Sequence, residues 1–233
     1  MRNEKVCIVT RALNRLEYTA QCVATVRNHT RYPEYDHLVL NQASTDGTRE
    51  WLDWIAKMPN QWYSRVRPIH LKKNCGDWGG MRAAIDFLGD AQYVVQLDND
   101  IRVPRGWLTV MVAVLQAMGA SAVMLRRTGV QNRIHGEAAE PLVFNEGQAE
   151  TDSHQLLSIS VVPKVVACYV CRTADFLRYA HRIPMCDQLV QAIGRPAAKI
   201  ENLPCHQMEG FDSLDKSYIQ HDKYGESEPR QVI

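Results

Sequence analysis

Two carboxylates one residue apart are the feature of this sequence with the clearest chemical potential. Asp98 and Asp100 flank Asn99 in the run VVQLDNDIRVPRGWL, directly after the apolar residues of a predicted strand. Residues two apart in an extended segment point to the same side, so both carboxylates are expected to converge at a strand end. Oxygen ligands suit Mg²⁺ or Mn²⁺, which commonly share them with substrate phosphates. An Asx-rich turn is the other interpretation of the same tripeptide.

The elements around these carboxylates alternate between strands and helices. Short apolar runs predict strands at residues 6–9, 37–40, 66–71 and 93–97, and a helix with one apolar face follows each strand, the last at residues 107–118. This alternation predicts a mostly parallel sheet with right-handed crossovers. Pro68 favours an edge position or an irregular segment for the third strand, because proline cannot donate a hydrogen bond to a neighbouring strand.

The regular alternation ends before residue 126. Residues 126–155 are polar and contain several glycines, which predicts a long irregular insertion that acts as a functional loop or a mobile lid. Beyond it, strands are expected at residues 157–162 and 165–170, and helices near residues 174–179 and 185–193.

Composition narrows the class of protein. The chain has 233 residues, of which 45% are hydrophobic and 23% charged, so it can bury a substantial core. Its net charge of +1 provides no overall attraction to nucleic acids or anionic membranes. No apolar run approaches the roughly 20 residues that cross a bilayer, so a cytoplasmic protein is expected. The seven scattered cysteines are predicted to be reduced, with Cys168 and Cys171 on opposite sides of one strand.

Four segments in order share one pattern. They are VTRALNR (9–15), VLNQASTDGT (39–48), LKKNCGDWGGMRAAI (71–85) and LDNDIRVPRGWL (97–108). Together they resemble the nucleotide-binding half of a family 2 glycosyltransferase with the GT-A fold. The resemblance continues more weakly through VVACYVCR (165–172), CDQLVQAIG (186–194) and NLPCHQMEG (202–210).

The resemblance implies an α/β fold of the GT-A, Rossmann-like type. A mostly parallel central sheet would be flanked by helices, with a small antiparallel portion on the acceptor side. Residues 1–210 would form a single domain, with a nucleotide-sugar-binding half at 1–108 and an acceptor half at 109–210 that contains the insertion. Residues 211–233 would be a polar tail.

The resemblance also assigns a set of residues to the donor nucleotide: Thr10, Arg11, Arg15, Asn41, Arg82, Asp98 and Asn99. Arg11 would lie over a base and Arg15 would reach a phosphate, although solvated arginines at a helix start are the simpler interpretation. Asn41 stands where the family has an Asp that reads uracil. An amide both donates and accepts hydrogen bonds, so Asn41 can still read a base edge, but uracil is less strongly implied. Trp78 is either a sugar-facing aromatic or a core residue.

A metal site is implied by the same resemblance, because Asp98 and Asp100 match the DxD motif. Asp100 would bind Mn²⁺ or Mg²⁺ directly, while Asp98 would contact the ribose or reach the metal through water. His206 matches a late histidine that completes the metal site in many relatives, and His221 is a weaker competitor for that role. Asp46, in the second segment, is expected to have a structural role as a helix cap.

Catalysis is assigned to Asp187, which falls where the family has its acidic base. The family usually has a Glu-Asp pair there, and Cys186 replaces the first member; a helix cap is the alternative role for Asp187. An inverting transferase needs a base to take the proton of the acceptor hydroxyl, and a cation offsets charge on the departing diphosphate. The resemblance therefore implies a metal-dependent, inverting glycosyltransferase that uses a nucleotide-diphosphate sugar, with a UDP-sugar as the expected donor.

Two other function classes stay open. A nucleotidyltransferase also joins a glycine-rich turn to metal-binding carboxylates, but VTRALNR lacks the glycines expected after its first strand. A non-catalytic nucleotide-sugar-binding domain is the other class, and Cys186 keeps it open. The acceptor is a hydroxyl compound of undetermined class. A modified nucleic-acid base is one candidate, because Arg126, Arg127 and Arg133 gather in the insertion.

Overall fold

The computed structural model describes residues 4–58, 65–129, 157–185 and 188–208. Several predicted features lie outside these ranges: the insertion from residue 130 to 155, Cys186, Asp187, His221 and the expected tail. Within the described residues, no helix is long and apolar enough to cross a membrane.

Nine strands in the described residues form one sheet. In chain order they are β1 Val6–Ala12, β2 Tyr35–Asn41, β3 Val66–His70, β4 Tyr93–Asp98, β5 Ile101–Arg102, β6 Ala122–Gly129, β7 Ile159–Val162, β8 Cys168–Arg172 and β9 Ala197–Gln207. Across the sheet the order is β3-β2-β1-β4-β8-β6-β9-β5, with β7 paired to β9. The four strands from β3 to β4 run parallel. β8 is antiparallel to both β4 and β6.

Helices cover both faces of this sheet. They are α1 Leu16–His29, α2 Thr48–Ala56, α3 Gly76–Ala83, α4 Trp107–Met118, α5 Thr173–Tyr179 and α6 Leu189–Ile193, and a 3₁₀ turn spans Ile85–Phe87. On one face, α1 and α4 bury Val26 and Trp107 against alternate residues of β1 and β4. On the other face, α3 and α5 bury Met81 and Phe176 against the remaining residues of the same strands. Helices on both sides are what a parallel sheet requires.

The expected α/β architecture, with a mostly parallel sheet and a smaller antiparallel portion, is confirmed. Pro68 lies on β3, and β3 is an edge strand of the sheet, one of the two possibilities that the proline indicated. Cys168 and Cys171 enter different core clusters on opposite faces of β8. The cysteines in the described residues are free. Burial raises the pKa of the Cys171 thiol, so this side chain stays protonated.

The acceptor half differs from the sequence prediction in several places, and β6 as a whole was not among the predicted strands. Residues 126–129 were expected to open the irregular insertion, but they continue β6, which runs parallel to β9. β9 itself was not predicted, because AAKIENLPCHQ lacks a regular alternation and contains Pro204. The helix expected at residues 185–193 begins only at Leu189. Pairing with distant strands, and not local pattern, stabilises this part of the sheet.

Candidate active site

The candidate site lies at the carboxyl ends of β1 and β4. β1 lies between β2 and β4, and all three strands are parallel. The chain first leaves β1 on one side, through β2 and β3, and later returns on the other side as β4. In open α/β sheets a ligand crevice forms where successive connections diverge in this way. Arg11 and Asp98 are paired in register at this position.

Arg11 is held between two carboxylates. Its guanidinium group donates to the carboxylate of Asp98 on β4, and its Nη1 lies 2.8 Å from Oδ1 of Asp77 on α3. Only 6% of the Arg11 side chain is exposed. A Cβ atom at Gly80 would lie 3.1 Å from Cδ of Arg11, so the missing side chain at that residue leaves room for the arginine. The structure therefore places Arg11 against the motif, between β4 and α3.

Arg15 reaches the second carboxylate from a constrained loop. Asn14 and Arg15 both have positive φ, of 52° and 59°, which residues other than glycine rarely adopt. The guanidinium Nη1 of Arg15 lies 3.8 Å from Oδ2 of Asp100, a charge pair at the limit of direct contact. Its Cζ lies 5.6 Å from the centroid of the Tyr18 ring. Backbone conformations of this kind persist only where the surroundings hold them.

The turn that follows β2 holds this loop in place. The backbone N–H of Asn14 donates to Oγ of Ser44 at 2.8 Å, and the N–H of Thr45 donates to Oδ1 of Asn14 at 2.7 Å. The Asp46 carboxylate accepts from the N–H of Leu16 at 2.8 Å and from the Thr48 hydroxyl at 2.6 Å. Asp46 thus ties the starts of α1 and α2 together, which agrees with its expected structural role.

Asp100 is the more deeply buried of the two motif carboxylates, with 6% of its side chain exposed against 31% for Asp98. The Gln207 amide donates to Oδ2 of Asp100 at 3.0 Å, and the N–H of Met208 donates to the Asp100 carbonyl at 2.8 Å. Gln207, on β9, was missed by the sequence analysis. The signal was its position directly after the histidine in CHQMEG.

His206 lies on the same strand, paired in register with Arg102. Burial, and then the positive charge of Arg102, lower the pKa of His206 below its ordinary value. The neutral imidazole, the form that can bind a metal, is therefore favoured.

Two of the expected donor residues are engaged by other protein groups. Thr10 is fully buried, and its Oγ1 is hydrogen-bonded to Nε2 of His37 at 2.8 Å. Its side chain therefore does not face a ligand crevice, because successive residues of β1 alternate between the two faces of the sheet. The Asn99 amide donates to the Thr19 hydroxyl at 2.9 Å. Asn99 thus connects the motif to α1.

Asn41, expected to read a base, is 1% exposed and belongs to a hydrogen-bonded chain. Its Oδ1 accepts from the N–H of Ser44 at 2.9 Å, and its amide nitrogen lies 3.2 Å from Nδ1 of His70. Nε2 of His70 lies 2.9 Å from the Asp53 carboxylate, and this hydrogen bond lowers the pKa of Asp53. His70 lies at the end of β3 and is partly exposed, with 16% of its side chain accessible, whereas Asn41 is buried. It was not among the residues predicted from the sequence.

The two remaining residues of interest lie on α3. Arg82 is exposed in the last turn of the helix. Trp78 is 3% exposed, so the core interpretation is the correct one. The Trp78 indole donates to the carbonyl of Ala180 at 2.8 Å and packs edge-on against Phe176, with ring centroids 5.6 Å apart. Trp78 therefore fixes α3, and with it Asp77, against α5 in the other half of the fold.

The residues expected to hold a metal do not form a ready-made cluster. Within the described part of the chain, no three His, Cys, Asp or Glu side chains lie close enough together to bind a metal ion. Asp98 and Asp100 each face an arginine instead. Their oxygen chemistry still fits Mg²⁺ or Mn²⁺ bound through one or two carboxylates together with phosphates and water.

Comparison with known proteins supports a common fold. The sequence-family model for Glycosyl transferase family 2 matches residues 7–158 of this chain. The chain is similar to S. aureus TarS 1-349 in complex with UDP-GlcNAc, with a TM-score of 0.60 and 15% identity over 91% of this chain and 61% of that chain. It is also similar to the mannosyltransferase PcManGT from Pyrobaculum calidifontis in complex with GDP-Man and Mn²⁺, with a TM-score of 0.64 and 13% identity over 95% of this chain and 62% of that chain.

This chain thus spans about three fifths of the length of each of those two structures, and 36% of the longer S. aureus TarS chain. No curated protein matches its sequence.

Proposed function

Since the chain belongs to glycosyl transferase family 2, we propose that it is a metal-dependent, inverting glycosyltransferase that uses a nucleotide-diphosphate sugar and an acceptor hydroxyl. One observation carries the proposal. Arg11 and Asp98 meet at the crevice between β1 and β4, with Arg15 and Asp100 beside them. Charged groups at this edge of a parallel sheet are suited to a phosphorylated ligand.

The balance of charge supports a divalent cation. The carboxylates of Asp77, Asp98 and Asp100 outnumber by one the two guanidinium groups that they face, those of Arg11 and Arg15. A diphosphate brought to this site alone would be repelled by that excess. Asp98 and Asp100 would hold Mn²⁺ or Mg²⁺, which supplies positive charge to the diphosphate as it leaves the sugar. His206 is the proposed additional ligand, because it adjoins Gln207, which bonds Asp100, and because its neutral form is favoured.

The nucleotide base would lie toward the ends of β2 and β3. The hydrogen-bonded chain of Asn41, His70 and Asp53 lies there, and His70 offers it a partly exposed ring. Arg82, which is exposed in the last turn of α3, is proposed to contact the diphosphate. A UDP-sugar is the first donor to test. The structures in complex with UDP-GlcNAc and with GDP-Man make uridine and guanosine donors the two leading arms of the experiment.

Catalysis would require a base for the acceptor hydroxyl, and Asp187 remains the proposed group. The acceptor class is open. Arg126 and Arg127 lie on β6, where Arg127 is paired in register with Cys205, next to His206. These positive charges suit an anionic acceptor, so a modified nucleic-acid base stays among the candidates.

Donor binding and sugar release test the proposal. The full chain is screened by thermal shift with UDP-, GDP-, dTDP- and CDP-sugars, each with Mn²⁺, with Mg²⁺ and with EDTA. We expect sugar nucleotides with one particular nucleobase to raise the melting temperature, and only when metal is present. We expect Asp100→Ala to abolish sugar release while the protein stays folded. Asp36→Ala is the matched control, because Asp36 pairs with Lys5 and Arg67 outside the site.

Two outcomes would count against the proposal. Sugar release by Asp100→Ala at the wild-type rate in Mn²⁺ would show that the metal assignment is wrong. Metal-dependent donor binding by the wild type without sugar release to water or to any acceptor would indicate a nucleotide-sugar-binding domain instead.

A further inference from the structure

Each carboxylate of the DxD motif is neutralised by an arginine from one short segment. Arg11, at the end of β1, pairs with Asp98, and Arg15, just before α1, pairs with Asp100. Both arginines are largely buried, with 6% and 13% of their side chains exposed. Two guanidinium groups therefore lie where a divalent cation would have to bind.

The position of Arg15 depends on several other residues of the fold. Asn14 and Arg15 keep their positive φ because the Ser44–Asp46 turn bonds the loop from one side. Asn99, between the two carboxylates, donates to Thr19 on α1 from the other side. Arg15 is thus directed at Asp100 by the fold and is not simply a flexible surface side chain.

We infer that Arg11 and Arg15 are exchangeable counterions of the motif. Without a cation they neutralise Asp98 and Asp100, and they compete with a divalent cation for the same oxygens. When cation and diphosphate bind together, the guanidinium groups transfer from the carboxylates to phosphate oxygens. This inference rests on the proposed function and adds to it a role for two positioning residues.

The chemistry of the guanidinium group permits such an exchange. Its planar set of donors matches carboxylate and phosphate oxygens equally well, so the hydrogen bonds lost on one partner can be made on the other. Arg11 can turn from Asp98 while Asp77 still holds its Nη1, and Asp100 keeps the hydrogen bond from Gln207 when Arg15 moves. Neither arginine has to be stranded without an anionic partner.

The balance of charge indicates that cation and diphosphate should bind together. A divalent cation alone would push two like charges against Arg11 and Arg15, and a diphosphate alone would meet the excess of carboxylates. A cation and a diphosphate nearly cancel each other's charge, so their joint binding leaves the balance of the site almost unchanged. Each ligand is therefore expected to strengthen the binding of the other.

The decisive experiment compares two affinities in Arg15→Met. Mn²⁺ binding without nucleotide is followed by the electron paramagnetic resonance of free Mn²⁺, and UDP binding at saturating Mn²⁺ by calorimetry. We expect Mn²⁺ alone to bind about tenfold more tightly than to the wild type, because a competing charge 3.8 Å from Asp100 is removed. We expect UDP with Mn²⁺ to bind about tenfold more weakly, as for the loss of one charged hydrogen bond to a phosphate. General destabilisation would weaken both affinities, so the opposite signs identify the exchange.

Controls keep the outcome unambiguous. Arg67→Met breaks an ion pair of 3.7 Å with Asp36, near the amino ends of β2 and β3 and away from the candidate site. This variant should change neither affinity. Arg15→Gln is a second neutral variant with the same expected result, in case the methionine variant does not fold. Equal or weaker Mn²⁺ binding by the folded Arg15 variants would overturn the inference. Failure of the wild type to bind UDP under any metal condition would instead overturn the proposed function. The Mn²⁺ affinities of the wild type and the Arg15 variants would then still test whether Arg15 competes with the cation.

Discussion

Replacing His37 with glutamine should remove a large part of the protein's sensitivity to acid. His37 lies on β2 with 1% of its surface exposed, three residues before the strand position that pairs with Arg11. Its Nε2 is hydrogen-bonded to the Thr10 hydroxyl at 2.8 Å, and burial lowers its pKa from 6.5 to about 3. The native state therefore holds a neutral imidazole at a pH where the unfolded chain would bind a proton.

The sign and size of the effect follow from proton linkage. The folded state binds a proton at His37 more weakly than the unfolded chain does, so acid favours unfolding. The contribution of His37 to the free energy of unfolding is complete above about pH 6.5 and is lost as the pH falls toward about 3. Each pH unit in this window corresponds to about 1.4 kcal/mol. At about pH 4.5 the wild type should have lost about 3 kcal/mol through this residue, a large share of a typical domain stability of about 5–15 kcal/mol.

Urea unfolding at several pH values between about 7.5 and 4.5 measures this contribution. Glutamine keeps a group that can bond Thr10 but cannot take a proton, so the unfolding free energy of His37→Gln should fall by about 3 kcal/mol less than that of the wild type. Other titrating groups are common to both proteins and cancel in the difference. His181→Gln, at an exposed position, controls for the loss of an imidazole. Parallel pH profiles for wild type and His37→Gln would refute the reasoning.

Two further predictions concern donor binding and the proposed catalytic base. Gly80→Ala would place its Cβ 3.1 Å from Cδ of Arg11, so UDP binding at saturating Mn²⁺, measured by calorimetry, should weaken by about tenfold, as for one charged hydrogen bond; an unchanged affinity would contradict the placement of Arg11. Asp187→Asn should reduce turnover by about 10²–10⁴-fold while donor affinity stays the same, since a base acts on the acceptor in the transition state. A loss below about tenfold in steady-state kinetics would assign the base to another residue.

The parallel half of the fold could be predicted from local patterns. Each of its strands is a short apolar run followed by an amphipathic helix, and burial on both faces makes such runs conspicuous. Pro68 marked the edge strand because it lacks a donor. The apolar run of β4 likewise predicted that Asp98 stands at the strand end, and β4 does end at Asp98.

The mixed half could not be predicted in this way. β6 and β9 pair with each other although they are far apart in the chain, and β5 is only two residues long. None of these three strands has a clear periodic pattern in the sequence. Gln207 illustrates the consequence. It reaches Asp100 only because β5 and β9 pair in one particular register, and a shift of one residue would turn its side chain to the other face.

The types of groups in the site were determined by the sequence alone: two carboxylates at a strand end, with arginines following another strand. The tertiary structure alone decided which of these groups meet. Thr10 and Arg11 are neighbours in the chain, yet one bonds to buried His37 and the other to Asp98, because a strand alternates its side chains between two faces. Charged partners come from segments distant in sequence, and their contacts depend on sheet order and register, which short-range patterns do not encode.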